Sequence, residues 1–62
     1  MKSYIVARAF LAPGKGVTLA YLCSDASETL ERDRAARFAD RDVAEGIALV
    51  RREGHAVLEV RS

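Results

Sequence analysis

Residues Tyr4 to Cys23 read as a single β-hairpin with two apolar faces, and this constrains the fold more than any other feature of the chain. In Ala12-Pro13-Gly14-Lys15-Gly16, a proline of fixed φ precedes a glycine that tolerates positive φ, so the chain reverses there. Pairing Ala12 with Val17 predicts Phe10 opposite Leu19, Arg8 opposite Tyr21 and Val6 opposite Cys23. In that register the pleat sends Tyr4, Val6, Arg8, Phe10, Val17, Leu19, Tyr21 and Cys23 to one face. Ile5, Ala7, Ala9, Leu11, Thr18, Ala20, Leu22 and Ser24 go to the other. The rest of so short a chain covers only one face well. The other is expected to meet a second protein surface.

The 62 residues make one domain, 1–62. A domain this small buries only roughly 60% of the surface its unfolded chain exposes, so a staple or a partner is expected. One Cys and one His exclude an intrachain disulfide and a structural zinc site, and no cofactor is expected. Ten basic and nine acidic residues leave a net charge of +1, which gives no general attraction to nucleic acid or to anionic membrane. No apolar run approaches the ~18–20 residues that span a bilayer. The stretch after Met1 lacks a signal-peptide pattern, so a cytoplasmic location is expected.

Strands are predicted over about 3–11 and 17–24. Between Ser24 and Arg37 two readings stand. One is a helix with Asp25 as N-cap and Glu28 completing a capping box. The other is a polar excursion ending in one helical turn near Arg34 to Arg37, with Asp33 as a cap. The main helix follows: Asp40 is its N-cap, and Asp42 sits in the first turn. Val43, Ala44, Ile47, Ala48 and Val50 or Arg51 form its apolar stripe. Arg51 and Arg52 close its last turn, and Gly54 stops it. Gly46, mid-helix, suggests close approach to the hairpin backbone. His55 to Arg61 alternates as a last strand. The class is α+β: an antiparallel hairpin, a third strand beside it and one main helix on one face, in the order β-β-short α-α-β.

Little here predicts chemistry. His55 is expected at a sheet edge, partly exposed, and nothing in its position brings it to Cys23. Asp25, Glu28, Glu31, Asp33, Asp40 and Asp42 interleave with Arg32, Arg34, Arg37 and Arg41, which predicts local ion pairs and no metal or paired-carboxylate site. Pro13-Gly14-Lys15-Gly16 joins two strands and opens no helix, so it is a turn and not a phosphate loop. Each arginine of the 32–41 segment lies near an acid in sequence, and no aromatic residues alternate with them to stack bases. Direct nucleic-acid binding is therefore the secondary reading.

The aromatic hairpin face carries the functional expectation. Tyr4, Arg8, Phe10, Leu19 and Tyr21 are the candidate partner-binding residues, because desolvated Tyr and Arg concentrate binding energy. Whether the helix covers this face or the Ala-rich one is open. The stretch from Asp33 to Glu45 resembles a pattern in small phage and prophage accessory proteins, where an acid-x-A-x-x-F turn leads to a capped helix and a last strand. That resemblance covers the C-terminal half and lacks the Trp that often precedes the turn. It implies an anti-CRISPR-like or host-takeover inhibitor that occludes a host protein, and it brings no catalytic residue. The expected function is a non-enzymatic protein-binding module with a host protein as partner, and a homodimer is allowed. The alternative is a homodimeric nucleic-acid-binding or regulatory protein.

Overall fold

Tyr4, Ile5, Val6 and Phe10, residue types that favour strands, draw Lys2–Ala12 into one long strand, β1, in a computed structural model that describes residues 2–51 and 54–61. The chain turns over Pro13 and Gly14, and the Lys15 N–H donates to the Ala12 carbonyl at 3.0 Å. Gly14 has φ 76°, the positive value a type II turn needs after its proline. Gly16, at φ 71°, then opens β2 (Gly16–Leu22) directly opposite Ala12.

This three-residue connection corrects the predicted register by one. Arg8 pairs with Ala20, Ala9 with Leu19 and Leu11 with Val17. A one-residue slip moves every β2 side chain to the other face. Tyr4, Val6, Arg8 and Phe10 therefore share a face with Thr18, Ala20 and Leu22. Leu19 and Tyr21 lie on the opposite face with Ile5, Ala7, Ala9 and Leu11. The predicted aromatic face does not exist as one surface.

The remaining elements are β3 (Glu28–Thr29), a 3₁₀ turn at Arg32–Arg34, the helix α1 (Arg41–Arg51) and β4 (His55–Arg61). The sheet order is β3-β2-β1-β4, antiparallel throughout, which places the last strand beside the first. The described residues form an α+β domain of four strands with one α-helix packed on the sheet. The excursion reading of residues 24–37 holds, with two differences. The helical turn comes at Arg32–Arg34 without a side-chain cap, and a two-residue strand precedes it. Asp25 caps no helix: its Oδ1 accepts the Ser27 N–H and hydroxyl in a local turn where Ala26 has φ 71°.

Asp40 does begin α1, its Oδ1 accepting the Asp42 N–H at 2.9 Å. The buried stripe is Ala44 and Ala48, with Ile47 half-buried, against Val6, Leu22, Tyr4, Phe38 and Val57. Two alanines let the helix axis approach the sheet. Val43 and Val50, placed in the stripe by sequence, are exposed. Gly46 is also exposed, with open space where a Cβ would stand, so it makes no close approach. It lies about 200° around the helix from Ala44 at roughly 100° per residue. Arg52 lies outside the described residues. Past the end of β2 the chain returns beside β1, where Tyr4 and Phe38 exchange backbone hydrogen bonds at 2.8 Å.

Candidate functional site

Three places in the fold gather side chains that could act. The first is polar and lies on the helix side of the sheet. Arg8 forks onto Glu28, with Nε to Oε2 at 2.8 Å and Nη2 to Oε1 at 2.7 Å. The two come from strands separated by β2, and the small side chain of Ala20, opposite Arg8, leaves the space that the arginine crosses. The Arg8 guanidinium also stands 5.2 Å from the centre of the Phe10 ring.

His55, opposite Arg8 on β4, brings Nε2 to 3.9 Å from Glu28 Oε2. It begins an edge strand and is half-buried as a residue, as expected from sequence, although its side chain is only 6% exposed. Arg51, Ala26 and these three residues line a cleft of about 530 Å³. The hydrogen bonds from Arg8 hold the Glu28 carboxyl below the usual range; burial opposes them, and the charges of Arg8, His55 and Arg51 add to the lowering. A carboxylate held ionised in this way ties β3 to β1.

The second place is a groove of about 430 Å³ between α1, the end of β2 and the returning chain. Leu22, Cys23, Ala36, Phe38 and Ile47 line it, with Arg37 and Arg51 beside them. Arg51 Nη2 donates to the Ala26 carbonyl at 3.3 Å. Of the interleaved charges, Arg34 pairs locally with Glu31 at 2.7 Å, whereas Arg41 pairs with Glu45 at 3.2 Å and Glu28 with the distant Arg8.

The third place is the sheet face away from the helix. The register puts Ile5, Ala7, Ala9 and Leu11 of β1 there, with Val17, Leu19 and Tyr21 of β2 and Ala56, Leu58 and Val60 of β4. Ile5 and Ala7 are buried, so the face is closed near the start of β1. Toward the hairpin turn it opens: Leu11 is 80% exposed, Val17 72% and Leu19 39%. The pairing of β4 stops at Arg8 and that of β3 at Tyr21. Residues 9–19 therefore project beyond the sheet as a two-stranded arm. Every carboxylate, ammonium, guanidinium and imidazole of the described strands lies on the helix face: Lys2, Arg8, Glu28, His55, Glu59 and Arg61.

The five residues singled out by sequence are thus divided. Tyr4, Arg8 and Phe10 lie on the helix face, where Tyr4 packs on the core and Arg8 is forked to Glu28. Leu19 and Tyr21 lie on the open face. Sequence reasoning kept Val17 with Leu19 and Tyr21 but missed Leu11 as their companion. The signal for it was Gly16, whose position allows a three-residue turn as readily as the four-residue one.

No protein-family model, no curated protein and no solved structure matches this chain. Among the described residues, no group of three or more His, Cys, Asp or Glu is placed to hold a metal ion. No described helix is long and apolar enough to cross a membrane.

Proposed function

We propose that this chain is a small, non-enzymatic protein-binding module that docks through the hairpin arm and the open sheet face. The segregation of charge carries the proposal: one face of the sheet holds the ionised side chains of the strands and the other holds none. Exposed Leu11, Val17 and Leu19 on that uncharged face favour burial against protein, since apolar patches of this kind mark interaction sites. The similarity of Asp33–Glu45 to small phage accessory proteins suggests the mode of action, stoichiometric occlusion of a protein surface.

A photo-crosslinking residue in place of Val17, compared with one in place of exposed Val50 on the outer side of α1, tests the docking surface in cells. Protein adducts from position 17 and few from position 50 are the expected result. Adducts from position 50 alone, or to nucleic acid from either position, would overturn it.

A further inference from the structure

The groove beside α1 has an apolar floor with two guanidiniums next to it, and no carboxylate is among the described residues that line it. We infer that it is a binding site for a small amphiphilic carboxylate, one anionic head group on an apolar body. The groove lies on the helix side of the sheet, so this site is independent of the docking face.

The floor is the rim of the hydrophobic core. Phe38 and Ile47 are half-buried and pack against the core of Val6, Leu22, Ala44 and Ala48, and they also line the groove. Among the described residues only Ile5 and Val6 are large and fully buried. An apolar body seated against Phe38 and Ile47 therefore adds to a thin core.

Charge selects the head group. Among the described residues neither Arg37 nor Arg51 has an ion pair. Arg37 is exposed, and Arg51 gives one N–H to the Ala26 carbonyl at 3.3 Å. The neighbouring carboxylates are engaged elsewhere: Asp25 accepts from Ser27, and Glu28 is forked onto Arg8. A guanidinium binds a carboxylate through two parallel hydrogen bonds, and apolar surface beside the pair strengthens it by excluding water.

Main-chain groups separate a free acid from a peptide. The N–H groups of Cys23, Ala36 and Phe38 border the groove, and each is already bonded within the chain, to the carbonyls of Ser27, Leu22 and Tyr4 at 2.8 Å. A peptide segment laid here would not find those partners for its own backbone. A fatty or aryl acid has no amide to satisfy. The volume of about 430 Å³ lies in the lower part of the ~300–1,000 Å³ range of small-molecule sites.

Titration of octanoate into the isotope-labelled chain tests this by nuclear magnetic resonance, with octylammonium, acetate and an end-blocked leucine–aspartate peptide as comparison probes. The expected result is saturable movement of the Cys23, Ala36, Arg37 and Ile47 amide resonances by octanoate below about 10 mM. Octylammonium has the same apolar body with the opposite charge, and acetate has the head group alone. Each should bind at least about tenfold more weakly. Arg37→Gln, at an exposed position, should stay folded by circular dichroism and weaken octanoate about fivefold or more. Octanoate that binds no better than octylammonium or acetate would overturn the amphiphilic acid, as would octanoate that moves no resonance of the groove. Tighter binding of the peptide would give the groove to a protein segment and overturn the free acid. Full affinity in Arg37→Gln and in Arg51→Gln would remove both guanidiniums from recognition, and the site with them.

Discussion

At position 46 a glycine sits mid-helix facing open space, while two residues earlier Ala44 is fully buried against Val6 and Leu22. The two positions should respond oppositely to added side-chain volume. Gly46→Ala removes backbone freedom from the unfolded chain and meets no neighbour, so it should stabilise by about 0.5–1 kcal/mol. Ala44→Leu forces extra methylenes between helix and sheet and should destabilise by about 1–3 kcal/mol through overpacking. Urea unfolding followed by circular dichroism checks both. A loss of stability in Gly46→Ala would mean that α1 is rotated from the orientation described. From sequence alone the glycine suggested the close approach, because only its small size was visible. The phase of Ala44, Ile47 and Ala48 decides which small residue faces the sheet, and Val43 and Val50 blur that phase in the sequence.

Among the elements, β3 is the shortest, two residues held on the edge of β2 and tied across it by Arg8 and Glu28. The Glu28 carboxyl titrates below its ordinary range in the folded chain, so the unfolded chain binds the proton more readily. The ion pair's stabilisation is complete above the ordinary glutamate range and is lost as pH falls through the lowered folded value. Glu28→Gln should reduce stability near neutral pH by about 0.5–1 kcal/mol, since a forked pair with both partners partly exposed stays modest. It should also flatten the loss of stability between about pH 5 and pH 3. Denaturation midpoints of the two proteins measured across that range decide the matter, and parallel acid slopes would remove Glu28 from the account. Such a pair was not legible in the chain, because Arg8 and Glu28 lie twenty residues apart and meet only through the register of three strands. The hairpin, α1 with its Asp40 cap and β4 were legible, because each declares itself through local periodicity or local capping. The hairpin register was not. It turns on whether Gly16 belongs to the loop or the strand, a choice of one residue that sorts Leu19 and Tyr21 away from Tyr4 and Phe10. That choice also decided the candidate surface.

For the molecule as a whole, the partition of charge between the two sheet faces separates two kinds of partner. Binding to nucleic acid releases counterions, so its affinity falls steeply as salt rises, by orders of magnitude for several phosphate contacts. Association through Leu11, Val17 and Leu19 involves no charged group on that face and has no counterions to release. Its dependence on sodium chloride should be slight, with the dissociation constant changing by less than about threefold between 50 and 500 mM. Sulfate, which is excluded from apolar surface, should tighten it. The crosslinking yield from position 17 in the two salts measures this, and fluorescence anisotropy with labelled DNA and RNA at the same ionic strengths provides the contrast. Association that weakens tenfold or more over that range would place ionised groups at the contact and remove the uncharged face from it. The helix side, where Lys2, Arg8, His55 and Arg61 lie, would then hold the interface.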